Sequence, residues 1–399
     1  MVDKISVVIV GMGGYGNRYV NALLDADKSY EVEIKGGVDP YPEGCQRLEE
    51  IKRKNIPLFS SLEEFYKNNR ADLAVISSPI HYHQSQISLA LDNDSHVLCE
   101  KPLAPTVDAA RDIVEKANKY NKKVAIGYQW SFSRAINRLK KDIMKGLLGK
   151  PLRLKTLVLW PRDFAYYNRN KWAGRIKNEK GQWIMDSVAH NATAHYLHNM
   201  LYVLGDEIDK SAKPVFLETE IYRANDIENF DTAAARIKTR QEAQLLYLVS
   251  HATKNQINPE FVYEFEKGRV EYSQDGKIGE ITAFFYDGKE KVYGDPFNNV
   301  NNKLWFTIEA IINDKKIWCG PEAAFPQVVC INGIQQSDIL NFPPDMIEYI
   351  KGNKEKKSLF VRDLDNTFIN CYHQWKLPHE LNLSWTRRGE RVDLEELFY

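Results

Sequence analysis

No stretch of this chain approaches the roughly 20 apolar residues that a bilayer-spanning helix requires. The short apolar run in MVDKISVVIVG lacks the small-residue cleavage site of a signal peptide, so it reads as a buried strand. Neither sign of charge is in excess: 54 Lys+Arg stand against 54 Asp+Glu, and no long run of one sign occurs. That balance lacks the electrostatic footprint of nucleic-acid or anionic-membrane binding and suits a neutral small-molecule partner. Cysteine is sparse. Cys45, Cys99, Cys319, Cys330 and Cys371 show no CxxC spacing, and a chain this long needs no disulfide staples, which points to the reducing cytoplasm. Internal repeats and low-complexity segments are also missing, which excludes solenoid and fibrous architectures. The hydrophobic fraction of 43% and charged fraction of 27% are those of a globular protein.

What is present is 399 residues, enough for two domains. Up to about residue 125, short β-rich runs alternate with amphipathic helical stretches: ISVVIV, EIKGGVD, DLAVISSP, HVLCEKP and KKVAIGYQW are separated by helices of ten or more residues. The strands are nearly continuous in apolar residues, as a parallel sheet covered on both faces requires. Residues 1–125 are therefore expected to form an α/β, doubly wound (Rossmann) domain. Residues 126–399 show a different pattern. A helix, SRAINRLKKDIMKGLL, ends at Gly149, and a second runs from about Met185 to Val203. Residues 216–294 then read mainly as strands, with hairpin signals at Lys267-Gly268 and Asp287-Gly288. The expectation is an α+β domain with an open-faced, mainly antiparallel sheet, and with a C-terminal helix able to pack back on the first domain.

Gly11, Gly13 and Gly16 form G-x-G-x-x-G between a predicted strand and a predicted helix. That pattern supplies a tight turn, close backbone approach of a pyrophosphate and close helix packing, with the helix N-terminus facing the phosphates. Asp39, at the end of the second strand, is placed to accept the ribose hydroxyls and to repel a 2′-phosphate, which favours NAD over NADP. The first basic residue after it is Arg47. Glu100-Lys101-Pro102 ends a later strand of the same sheet, where ligands of open α/β sheets bind, and an ammonium there can stabilise charge on a reacting oxygen. Asp186 and His190 lie four apart on a predicted helix and so share a face. A carboxylate there would orient the imidazole and raise its pKa into the range of a general base. His195 falls roughly 140° around that helix from His190, so these histidines do not suggest a shared metal, and none is expected.

Taken in order, GMGGYG, SSPIHYH (77–83), CEKP (99–102) and GQWIMDSVAH (181–190) resemble successive motifs of the glucose-fructose oxidoreductase and inositol dehydrogenase family, across roughly the first half of the chain. The resemblance implies an NAD(P)-dependent oxidoreductase acting on a secondary alcohol of a sugar, glycoside or cyclitol. Lys101, Asp186 and His190 fall on its catalytic positions, while Gly11, Gly13, Gly14, Tyr15, Gly16, Asp39, Ser78, Pro79, His83, Glu100 and Lys101 fall where the cofactor binds. It also implies a homo-oligomer, a dimer or tetramer. Two departures stand out: Ile80 where Asn is frequent, and Thr193 where many members carry a second aspartate. Trp160, Tyr166, Tyr167, Trp172 and Trp183 flank the D-x-x-x-H motif and could stack on a sugar or pack a core. Two other readings fit the same motifs. One is an enzyme that retains NAD and processes glycosides through transient oxidation at C3. The other is a non-catalytic dinucleotide-binding sensor, against which Lys101 and His190 argue.

Overall fold

The structure, a computed structural model, describes residues 4–26, 32–276, 279–298, 301–351 and 356–398. The first three residues of the N-terminal run read as a strand lie outside it. The chain divides into two compact units, Met1–Ser133 with Asn298–Phe325, and Arg134–Phe297 with Pro326–Tyr399. The expected single boundary near residue 125 therefore becomes a discontinuous one. The helix that rejoins the first unit is not the C-terminal one but α9 (Asn302–Ile312), which packs on the strand His96–Cys99 and the turn Gln129–Phe132.

In the first unit, β1 (Ile5–Val10), β2 (Val32–Val38), β3 (Leu58–Phe59), β4 (Leu73–Ile76), β5 (His96–Cys99) and β6 (Val124–Ile126) form one sheet in the order β3-β2-β1-β4-β5-β6. Every pairing is parallel. Residues 7–10 of β1 and all of β4 are buried because the sheet is covered on both sides, which is why neither strand alternates. The crossovers carry α1 (Gly16–Leu24), α2 (Leu48–Arg53), α3 (Leu62–Asn68), α4 (His83–Asp92) and α5 (Val107–Lys119). Helices α3 and α5 begin where Ser61 and Thr106 accept from the amides of Glu64 and Ala109, satisfying N-terminal donors that no turn of helix can reach. The strand order reverses between β1 and β4, the position at which doubly wound sheets open a crevice at their carboxyl ends.

The second unit is built on one large sheet of β7 (Pro151–Leu159), β8 (Pro214–Arg223), β9 (Thr232–Thr239), β10 (Gln244–Ser250), β11 (Ile257–Phe265), β12 (Gly268–Ser273), β13 (Ile281–Phe285), β14 (Glu290–Gly294) and β15 (Ile339–Asn341). Their order is β14-β13-β12-β11-β7-β10-β9-β8-β15, with β18 (Arg391–Asp393) paired to β8, while β16 (Ile347–Lys351) and β17 (Lys356–Val361) make a separate hairpin. The pairings are antiparallel except β7 with β10 and β8 with β15. Both expected hairpins form, β11–β12 and β13–β14.

Alternation along the strands sends successive side chains to opposite faces. On one face lie α6 (Arg134–Met144) and α8 (Ala194–Val203), the latter sending Asn199 to the Tyr263 hydroxyl at 2.9 Å. On the other, Leu157, Leu159, Leu246 and Leu248 join Leu359, Val361, Leu364, Phe368 and Cys371 in one cluster. The face expected to stay open is thus covered over β7 and β10 by β17 and α11 (Leu364–Gln374), because the C-terminal segment brings its own apolar stripe to it. Two helices complete the unit's connections: α7 (Phe164–Asn168) and α10 (Pro321–Ile334), inside which the unit boundary falls at Pro326. Among the described residues no helix is long and apolar enough to cross a membrane.

Candidate active site

The glycine-rich turn leaves β1 through Gly11, at φ +79°, whose amide donates to the Val38 carbonyl at 2.8 Å. A Cβ at Gly11 would lie 2.9 Å from the Ser77 carbonyl carbon and oxygen, so the turn after β1 packs backbone to backbone on the turn after β4. Gly16 opens α1 and is tighter still: a Cβ there would sit 2.0 Å from the Gly11 oxygen. Gly13 instead faces Gly44, while an added Cβ at Gly14, at φ +51°, would meet no protein atom within 4 Å. This is the open stretch of the loop, and it fits the approach of a pyrophosphate to bare backbone.

Asp39 comes directly after β2. Its Oδ2 accepts from the Met12 amide at 2.8 Å and the Gly13 amide at 3.4 Å, and its Oδ1 accepts from the Tyr41 amide at 2.9 Å. The carboxylate is half-buried and shapes the glycine loop while keeping acceptor capacity on both oxygens. Asn17 was not anticipated from the sequence. It donates to Gly14 O and Gly44 O and accepts from the Gln46 amide, clamping the loop to residues 44–46.

After β4, Ser77 donates to Gly11 O at 2.7 Å, and Ser78 donates to Gln86 at 2.5 Å. Ser78 and Pro79 remain half-exposed, whereas Ile80 is buried. His83 is interior: it is 1% exposed, with Nδ1 2.9 Å from Pro102 O and Nε2 3.1 Å from Ser78 O. Burial pushes its pKa below the usual histidine range despite both carbonyls. His83 therefore braces the turn after β4 against the turn after β5 rather than presenting a ring to a ligand. Glu100 is likewise interior. Its Oε1 accepts from the Tyr19 hydroxyl at 2.5 Å and from the Lys303 ammonium, and its Oε2 accepts from the Lys101 amide at 3.3 Å. Lys101 itself is half-buried, and Tyr15 is 38% exposed.

The second unit holds Asp186 and His190, and here the local structure differs from the expected continuous helix. Met185 adopts φ +52°, and Asp186 lies outside any helix. Ser187 is extended and caps the next turn, its Oγ accepting from the His190 amide at 3.2 Å. Residues Val188–Ala192 form that turn, which is π-helical, before α8 begins at Ala194. The cap and the Asp186 carboxylate explain the break. Its Oδ2 accepts from the Gly174 amide at 2.7 Å and its Oδ1 from Asn191 Nδ2 at 2.8 Å, which draws residue 186 out of helical register. Single π-turns of this kind recur at functional sites. Asp186 is 5% and His190 1% exposed.

Thr193, the departure from the family pattern, is fully buried. Its hydroxyl bonds to Val188 O and the Tyr247 hydroxyl, both at 2.6 Å, so it closes the π-turn onto β10. Of the flanking aromatics, Tyr166 carries two guanidinium groups over its ring, Arg169 at 3.7 Å and Arg162 at 4.8 Å. Arg169 also approaches Asp186 at 4.0 Å. Trp160 donates to Asn258 at 2.9 Å, and the exposed Trp183 lies under Lys177. Neither arginine was picked out from the sequence, since a cation three or more residues from a motif carries no periodic signal. Among the described residues no group of three His, Cys, Asp or Glu side chains is arranged to hold a metal ion.

These features define an α/β dinucleotide-type fold joined in sequence to an α+β unit. Residues 5–128 match the oxidoreductase family with an NAD-binding Rossmann fold, named for glucose-fructose oxidoreductase, inositol dehydrogenase and MocA. It is similar to inositol 2-dehydrogenase of Rubrobacter xylanophilus, 27% identical over 217 residues that cover 52% of this chain and 54% of that protein. It is also similar to D-glucoside 3-dehydrogenase of Escherichia coli, 26% identical over 148 residues, 37% and 41% of the two chains. The match spans about half the length of these relatives. In fold, the chain resembles the WlbA dehydrogenase of Bordetella pertussis, solved with NADH and UDP-GlcNAcA. The TM-score is 0.69 at 20% identity, covering 84% of this chain and 96% of that one. An oxidoreductase of Thermotoga maritima gives a TM-score of 0.67 at 20% identity over 83% and 96%.

Proposed function

We propose that this protein is an NAD-dependent dehydrogenase that oxidises a secondary alcohol of a sugar, glycoside or cyclitol to a ketone, or catalyses the reverse. The observation that carries the reading is the glycine turn itself. Its backbone is packed on the Ser77 turn and shaped by Asp39, and it leaves Gly14 bare at the carboxyl end of β1. The relatives that are inositol and glucoside dehydrogenases support the substrate class. Bound NAD would be held by Gly11 to Gly16, Asp39 and the Ser78-Pro79 turn, and it would supply a hydride acceptor. Asp39 accepts from ribose hydroxyls and disfavours a 2′-phosphate. His190 takes the proton of the reacting hydroxyl, and Asp186, anchored by Gly174 and Asn191, orients that imidazole. Lys101, whose amide donates to the Glu100 carboxylate at 3.3 Å, supplies an ammonium that can stabilise charge on a reacting oxygen.

The test is NADH formation across a panel of cyclitols, free sugars and glycosides, with NADP as a parallel cofactor. Stoichiometric NADH release from a polyol or glycoside is expected. Glycoside cleavage without net NADH would replace this reading with the NAD-retaining one. NADH binding without turnover of any carbohydrate alcohol would sink it in favour of a sensor.

A further inference from the structure

The first unit contains an ion pair with no counterpart in the motifs read from the sequence. Lys303, the second residue of α9, is 2% exposed although it lies some two hundred residues after the turn it touches. Its ammonium donates to Glu100 Oε1, to the Tyr15 hydroxyl at 3.0 Å and to the Gly127 carbonyl at 3.3 Å, so all three of its protons have acceptors. It also sits over the faces of two rings, 4.5 Å from the Tyr15 centroid and 5.4 Å from that of Tyr19. Burial works against the charge, but the carboxylate beside it prevails and raises its pKa above the usual lysine value. The position is an awkward one for a cation, because the first turn of a helix presents the positive end of its dipole. Helical packing alone gives no reason for a lysine there.

The partners of Lys303 give one. Tyr15 belongs to the glycine turn, and the other oxygen of Glu100 holds the amide of Lys101. We propose that Lys303 is a positioning residue that locks the glycine turn after β1 to the Lys101 turn after β5, through Tyr15 on one side and Glu100 on the other. The inference rests on the dehydrogenase reading for its functional consequence, but the locking itself is a property of the cofactor-free chain. The alternative is a pair kept only for folding. Buried pairs are commonly replaceable by apolar or neutral groups at little cost in stability, whereas removing one partner strands the other charge. Stability and positioning can therefore be separated.

The experiment uses the full chain, with Lys303→Met and the double variant Lys303→Met/Glu100→Gln. The single variant strands a buried carboxylate and lowers the denaturation midpoint. The double variant recovers most of that loss, and stays testable where the single one folds poorly. Positioning is not recovered. In both variants, without cofactor, amide exchange at residues 11–16 and at residues 100 and 101 rises above wild type. NADH affinity, read by fluorescence, falls by roughly an order of magnitude, the scale of one charged hydrogen bond. Turnover falls by about 10²-fold with KM for the alcohol little changed, as expected when a reacting group is displaced by about an ångström. Unchanged exchange at those two turns would overturn the proposal whatever the kinetics show. So would a double variant that regains wild-type NADH affinity and turnover along with its stability. A wild-type chain that binds no NADH would remove the dehydrogenase reading and the functional role with it, leaving the exchange result to decide whether the lock exists.

Discussion

Gly16→Ala is a demanding test of the glycine turn, because the added methyl has nowhere to go. Its carbon would stand 2.0 Å from the Gly11 oxygen and 2.8 Å from Ser77 Oγ, where ordinary contact begins at 3.4 Å. The Gly11 oxygen cannot retreat freely, since it accepts from Ser77 Oγ at 2.7 Å and its own residue is tied to Val38 at 2.8 Å. Either α1 moves off the turn by more than an ångström or those two bonds break. Forced overpacking of this kind costs about 1–3 kcal/mol. A displacement of about an ångström in a positioned group costs on the order of 10²-fold in function. Gly14→Ala is the matched control. No atom lies within 4 Å of its new carbon, so its stability cost is limited to the left-handed backbone, about 1–2 kcal/mol. Guanidinium denaturation and NADH fluorescence titration of the two variants decide the matter. Gly16→Ala should lose stability by repacking and lose NADH affinity with it. Wild-type stability and affinity in Gly16→Ala would refute the packing argument.

The same geometry has other consequences. His190→Ala should lower turnover by about 10²- to 10⁴-fold while leaving NADH affinity unchanged, measured by steady-state kinetics beside a binding titration. A variant with near-wild-type turnover would remove His190 as the base. Asp39→Ser deletes the acceptor of the Met12 amide as well as the proposed ribose acceptor, so NADH affinity should fall at least about tenfold and the preference for NADH over NADPH should narrow. Wild-type protein that binds NADPH more tightly than NADH would contradict the assignment. Two buried histidines give stability an acid limit. Burial, reinforced by the Lys140 charge for His198 and by the Arg162 charge for His251, lowers each pKa from 6.5 to about 3. Between those values the unfolded chain binds more protons than the folded one. Stability is therefore complete above pH 6.5 and falls as pH drops below it, by up to about 1.4 kcal/mol per pH unit for each histidine. In urea denaturation between pH 7.5 and 5, His251→Gln should flatten that slope, and an unaltered slope would exclude its contribution.

The first unit was the more legible part of the chain because its signals are local. The apolar runs start within two residues of β1, β2, β4, β5 and β6, although those over β4, β5 and β6 carry on three or four residues past the strand ends into the turns. The two-residue β3 is too short to show any period. In the second unit the hairpins were readable from their turns, but α10 was not. Pro326 and Gly333 lie inside it, and both normally punctuate a helix rather than belong to one. The cover that β17 and α11 lay over β7 and β10 was also out of reach, since the apolar residues of two distant segments carry no mark of which face they will share.

The candidate site divides along the same line. The glycine spacing and Asp39 could be placed from the sequence because a turn of a few residues dictates them. The D-x-x-x-H stretch was read as one face of a helix because the i, i+4 spacing allows it. Spacing, however, says nothing about competition for the backbone. Ser187 takes the His190 amide and Asp186 takes that of Gly174, and these local bonds stop an α-helix from forming through residue 186. Glu100 and His83 show the converse error, in which a polar residue inside a ligand-binding motif was given to the ligand. Each is buried: His83 bonds the turns after β4 and β5, and Glu100 bonds Tyr19, Lys303 and the Lys101 amide. Lys303 did carry a usable signal. A lysine in the first turn of NKLWFTIEAII opposes both the dipole and the burial that so apolar a helix implies, and a charge that violates two local preferences needs a buried anion to meet. The sequence could have posed that question, but only the fold supplies Glu100 as its answer.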